Sequence, residues 1–253
     1  MGGGSVDSTC GKIWGIMAKK KSGKSSGDSG AMEQSFQSAA KAAEEDPKNQ
    51  DAWDHLEGLA DELQRPEEVS QLYRTVINRN LSADARDVVA QRAVSFHEEW
   101  FGDDLDGLVS LLDRIFEQDP KADWALERLV MELTDERRWD ELMSFYDKAL
   151  VSIKDTKRRR QLLDDAAHVA KDFADNPDRA LDYMGKLLEL DPDNTQLQSQ
   201  LERLYERQDR WSELVELWRR RIPTAKAREL PEIRLRIATT YLEKVEDPAR
   251  ALE

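Results

Sequence analysis

Six residues constrain this chain more than any others: Val69, Leu108, Leu142, Ala180, Leu214 and Ala251. Each is small or branched, and each falls near the start of a stretch with helical apolar spacing. Successive members lie 39, 34, 38, 34 and 37 residues apart. That interval holds two helices and their turns. A lone helical hairpin buries little apolar surface, whereas stacked hairpins build a continuous core, and a period in the thirties is the signature of such a stack. The spacing predicts an all-α solenoid of helix-turn-helix hairpins.

Glycine and proline mark the breaks. Eight of the twelve glycines lie within residues 1–31, and all eight prolines lie beyond them. Each proline falls at or near an interruption of the apolar period, where it can start or end a helix but not continue one. The first helix of each pair, helix A, is expected at 52–63, 85–101, 123–136, 157–174, 193–208 and 231–245. The second, helix B, is expected at 66–78, 106–120, 138–151, 176–192 and 210–222, with a sixth only begun at 247–253. A cap helix is expected from Met32 to Glu45. β-branched alternation is missing, so no strand is expected. Residues 1–31, rich in Gly, Ser and Lys, read as a disordered tail, and "MAKKKSG" from Met17 reads as an alternative protein start.

Several stretches then fall into register. Trp53-x2-Leu56 and Val69-x3-Tyr73 occupy the first pair, and Leu201-x3-Tyr205 and Ala238-x2-Tyr241 lie in later helices A. Leu142-x3-Tyr146, Ala180-x3-Met184 and Leu214-x3-Trp218 lie in helices B, and Asp46-Pro47, Asp119-Pro120 and Asp191-Pro192 close units. Together these resemble the tetratricopeptide repeat family over residues 32–253. The resemblance implies a right-handed superhelix of about five full repeats and a truncated sixth. It departs from the family in its 37–39-residue units, in Glu57 at a preferred glycine place and in Ala60 at a tyrosine place. "RWDEL" from Arg138 and "RWSEL" from Arg210 become helix B starts of the third and fifth repeats, with Trp139 and Trp211 wedged at the hairpin turn.

Composition narrows the function. The net charge is −14 over 253 residues. Such a surface repels phosphate backbones and anionic membranes, so nucleic acid is not expected as a partner. No apolar run approaches the ~18 residues of a membrane span. Cys10 is the single cysteine, which excludes an internal disulfide and fits a reducing, cytoplasmic setting. His55, His97 and His168 fall in helices A of different repeats, too far apart to share a metal. "SGKS" at Ser22–Ser25 lacks the earlier glycine of a phosphate loop, since Ala18 stands there. Paired acids such as Asp164-Asp165 point to different sides of a helix. No metal, cofactor or enzymatic activity is expected. The run "KDTKRRR" at 154–160 is the one basic cluster of the repeat region, suited to a junction or to an acidic partner.

The resemblance also implies where a partner binds: on the helix A residues not used for packing. In this chain those include Asp51, Asp54, Asp61 and Glu62 in the first repeat, His97, Trp100 and Phe101 in the second, Trp124, Glu127 and Met131 in the third, and Gln161, Asp164, His168 and Lys171 in the fourth. This groove would be acidic at one end and aromatic in its middle, suiting a basic or mixed basic/apolar peptide or helix. Family members that clamp a peptide carboxylate use Lys and Asn; Asp54, Gly58, Ala93 and His97 stand at those places here. The reading is a non-enzymatic interaction scaffold. The alternatives are a structural, self-associating subunit of a motility, secretion or envelope assembly, or a fragment of a longer array with a function encoded beyond Glu253.

Overall fold

The computed structural model describes residues 26–252, and they are helical hairpins without a strand. The helices are α1 (Ser26–Glu45), α2 (Gln50–Leu63), α3 (Pro66–Ile77), α4 (Ala83–Phe101), α5 (Leu105–Gln118), α6 (Asp123–Asp135), α7 (Trp139–Ser152), α8 (Thr156–His168), α9 (Pro177–Leu190), α10 (Thr195–Arg207), α11 (Trp211–Arg221) and α12 (Leu230–Glu243). A π-helical turn, Val169–Phe173, prolongs α8, and a 3-10 turn, Arg250–Leu252, follows α12. The cap helix therefore starts at Ser26 rather than Met32. The rest of the expected tail, with Cys10, Met17 and the "SGKS" stretch, lies outside the described residues.

The chain forms two compact units divided after Leu72. In the first, α1 packs on α2. In the second, each helix from α4 to α12 packs on its neighbours along the chain, the nearest-neighbour pattern of a repeat stack. No described helix is long and apolar enough to cross a membrane.

The backbone repeats with the spacing read from the sequence. Gln64, Arg137, Asp175, Asp209 and Glu246 are the non-glycine residues with positive φ, between 46° and 57°. Each ends a helix A, and each precedes Val69, Leu142, Ala180, Leu214 or Ala251 by five residues. A left-handed residue turns the chain back at a helix end and lets the next amide reach an orphan carbonyl. Arg138 N bonds Leu133 O at 2.9 Å, and Arg210 N bonds Tyr205 O at 2.9 Å. Five residues on, the side chain points into the hairpin: Val69, Leu142, Ala180 and Leu214 are fully buried, Leu108 nearly so, and Ala251 half-buried against the Leu214–Trp218–Tyr241 cluster. Full burial of such an aliphatic side chain contributes about 1.5–3 kcal/mol.

Side chains cap most of the remaining helix starts. Asn49, Ser82, Asp104, Asp155, Asn176 and Asn194 each accept an amide of the first turn. The twin "RW" stretches have no such cap; Arg138 and Arg210 stand at the N-cap position instead. Arg138 grips Glu141 within its own first turn and reaches Asp106 on α5, both at 2.6 Å. Arg210 does the same with Glu213 and with Asp178 on α9, both at 2.8 Å. The repeated motif is thus a staple between successive helices B. Of its tryptophans, Trp211 packs against the Leu214–Trp218 cluster of its own hairpin, as does Tyr205 of α10. Half-buried Trp139 meets Phe173, 5.9 Å away at the end of the next helix A, and Lys244 from the end of α12 lies 5.1 Å over Trp211.

Candidate functional site

α6 buries Ala125, Leu129 and Leu133, and α8 buries Leu162, Leu163, Ala166 and Ala167. At 3.6 residues per turn this leaves Glu127 on α6, and Asp164, Asp165 and His168 on α8, turned away from the core. These four side chains line one open cavity of about 770 Å³ between the two helices A. Its floor includes Val130, Leu162 and the buried Tyr146 from α7; Lys157 and Arg158 stand at one end.

Charge in the cavity is unevenly satisfied. Among the described residues, none forms a salt bridge with Glu127, Asp164 or Asp165. Burial raises the Asp165 carboxyl above the usual carboxylate range; adjacent Asp164 adds to this and His168 works against it. Burial, with a smaller push from Asp165, also raises the Tyr146 hydroxyl. His168 Nδ1 lies 2.7 Å from Asp172 on the π-helical turn, and its ring meets Phe173 edge-on at 5.3 Å. That turn lengthens the corner: Asn176 N bonds Ala170 O, one residue further back than its counterparts at Arg138 and Arg210. π-turns are frequent at functional sites.

The basic run beside the cavity is mostly tied into the fold. Arg158 donates to Pro120 O and pairs with Asp123. Arg159 donates to Leu150 O at 3.1 Å, and Arg160 lies 3.4 Å from Asp191. Exposed Lys157 remains at the cavity end.

Of the groove residues expected from the sequence, Glu127, Gln161, Asp164 and His168 line this cavity, and Asp165, expected on a different side of the helix from Asp164, lines it as well. Met131, 43% exposed, and half-buried Trp124 stand on α6 outside its lining. The Trp124 indole donates to Asp87 of α4 at 2.8 Å. Trp100 and Phe101 end α4 half-buried, packed on Phe96 at 6.0 and 6.5 Å. Asp51, Asp54, Asp61 and Glu62 are exposed on α2, in the first unit. The residues missed by sequence reasoning are Asp165 and Tyr146. The i, i+1 acid pair was the available signal for Asp165; Tyr146 was read as core.

The placement of His97 at a groove surface is overturned. It is 3% exposed, and its Nε2 lies 2.9 Å from Asp104 O. A carbonyl only accepts, so Nε2 carries the hydrogen. This corner, between α4 and α5, is the one that lacks a left-handed residue: Gly102 has φ −52°, and Asp104 N bonds Phe101 O at 2.7 Å. The imidazole holds the corner where the other repeats use the backbone. Gly107 makes room for it, since a Cβ there would stand 2.2 Å from Asp104 Oδ2 and 2.7 Å from His97 Cε1.

No protein-family model matches the chain, and no curated protein matches it. Among solved structures it is similar to a tetratricopeptide repeat protein from Parabacteroides merdae, at 14% identity, covering 89% of this chain and 94% of that one with a TM-score of 0.29. It is also similar to BtubC (BKLC) from P. vanneervenii, at 12% identity, 88% and 85% coverage and a TM-score of 0.31. Likeness at this level leaves the description of the fold to the chain's own helix packing.

Proposed function

We propose that this chain is a non-enzymatic protein-interaction scaffold that takes a basic or mixed basic/apolar peptide or helix in the cavity between α6 and α8. The observation that carries the reading is the concentration of three acids without salt bridges, Glu127, Asp164 and Asp165, around an open cavity of about 770 Å³ with an apolar and aromatic floor. Charge left unpaired beside an apolar surface favours a partner of opposite sign with apolar anchors. The exposed acids Asp51, Asp54, Asp61 and Glu62 give α2 a surface of the same sign. A net charge of −14 supports a protein partner over a nucleic acid.

The test is a library of 15-residue peptides selected on the wild-type chain and titrated against Asp164→Lys/Asp165→Lys. Selected peptides should carry lysine or arginine beside large apolar residues, and the double variant should bind them at least about tenfold more weakly, or ~1.4 kcal/mol. Equal affinity for both proteins would sink the reading.

A further inference from the structure

Five residues beyond each buried hairpin position, helix B carries a side chain that reaches the following helix. Arg74 donates to Gly107 O of α5 at 3.1 Å. Asp113 meets Lys148 of α7 at 2.6 Å. Asp147 meets Arg179 of α9 at 2.5 Å and accepts from the Tyr183 hydroxyl at 3.0 Å. Arg219 lies 5.3 Å over the Tyr241 ring of α12. At the same place in α9 stands Gly185. The cross-link is missing there, and a Cβ on Gly185 would meet nothing within 4 Å. A cavity of about 360 Å³ opens between α9 and α11, with α10 beneath it.

One part of the cavity wall is apolar. Leu188, Leu201 and Leu217 line it, with the Tyr205 ring. Its rim carries Glu189, which makes no ion pair among the described residues, and Glu216, loosely paired at 3.9 Å with Arg220, which also lines the cavity. Arg221 is drawn aside to Glu202 at 3.4 Å. The volume suits one large side chain rather than a helix, and an aromatic ring can use both the leucines and the Tyr205 face. The under-paired rim acids favour a neighbouring cation. A cavity of about 540 Å³ also lies in the α5–α7 seam, but there Asp113 and Lys148 pair at 2.6 Å across it, whereas no such pair crosses at Gly185.

We propose that this cavity is an anchor pocket for a partner protein, taking one aromatic side chain flanked by lysine or arginine. It is lined by α9, α10 and α11, whereas the α6–α8 cavity is built on other residues, so the two sites stand or fall separately.

The probes are N-acetyl-Trp-Lys-amide and N-acetyl-Trp-Glu-amide, followed by methyl NMR on the full chain. The lysine peptide should shift the Leu188, Leu201 and Leu217 methyls with millimolar affinity, and the glutamate peptide should bind several-fold more weakly. Gly185→Met should fill the pocket and abolish the shifts while its Tm stays at or above that of wild type. Glu189→Gln/Glu216→Gln, both at exposed positions, should erase the preference for lysine. Absence of shifts with the lysine peptide, equal binding of both peptides, or shifts that survive in Gly185→Met would overturn the proposal.

Discussion

The edge formed by successive helices B and the cavity between α6 and α8 use acidic residues in opposite ways. Along the edge, Asp106, Asp113, Asp147 and Asp178 each meet a cation on the following helix B at 2.5–2.8 Å. In the cavity, Glu127, Asp164 and Asp165 are left without one. The edge consumes its charges in holding hairpin to hairpin; the cavity keeps its charges available. The paired acids lie on helices B, and the unpaired ones of the α6–α8 cavity lie on helices A.

The largest effect that tests this division lies in the hairpin interior. Leu142→Ala, at a fully buried position, should cost about 3 kcal/mol by urea denaturation. Leu126→Ala, at a half-buried cavity wall, should cost about 1 kcal/mol or less. Comparable losses would erase the distinction. Next in size is Asp147→Ala, which takes one acceptor from the Tyr183 hydroxyl and the partner from Arg179. The pair is about a third exposed, so screening limits the cost to about 1 kcal/mol. Asp164→Ala in the cavity should lie within about 0.5 kcal/mol of wild type.

The smallest effects differ in sign with pH. A hydrogen bond from Arg210 holds the Glu213 carboxyl below its ordinary range, against a smaller opposing effect of burial. Its contribution is present above the unfolded-state pKa and is lost as pH falls through the folded one. Glu213→Gln should therefore lower Tm at pH 7, with the gap closing on acidification. Asp165 is raised, so the native state binds more protons than the unfolded state between the two pKa values, and stability falls as pH rises through that window. Asp165→Asn should have a Tm at or above wild type at pH 7, with that gap also closing toward acid. Thermal melts of both variants from about pH 7 down to about pH 2 check the two signs.

Much of the fold was legible because the chain repeats a local device. The hairpin spacing reappears as a left-handed turn followed five residues later by a buried side chain, and both depend on local sequence. What escaped depends on tertiary detail. His97 is buried because the α4–α5 corner closes on an imidazole instead of a left-handed residue, and neither partner atom is near it in the helical pattern. The π-turn at Val169–Phe173 reflects one residue inserted before Asn176, invisible to a period of 3.6. The site was legible in part. Glu127, Gln161, Asp164 and His168 were singled out from their helix A positions, while Trp100 and Phe101 pack on Phe96 at the end of α4. A linear sequence gives the face of a side chain but not which neighbouring helix comes opposite.

The central claim is that recognition belongs to the helix A cavity and not to the paired edge of α5 and α7. Amide and methyl NMR of the chain titrated with a selected basic/apolar peptide tests it most directly. The account predicts the largest shifts at Glu127, Val130, Asp164, Asp165 and His168. Largest shifts at Asp113, Asp147 and Lys148, with the cavity unmoved, would contradict it.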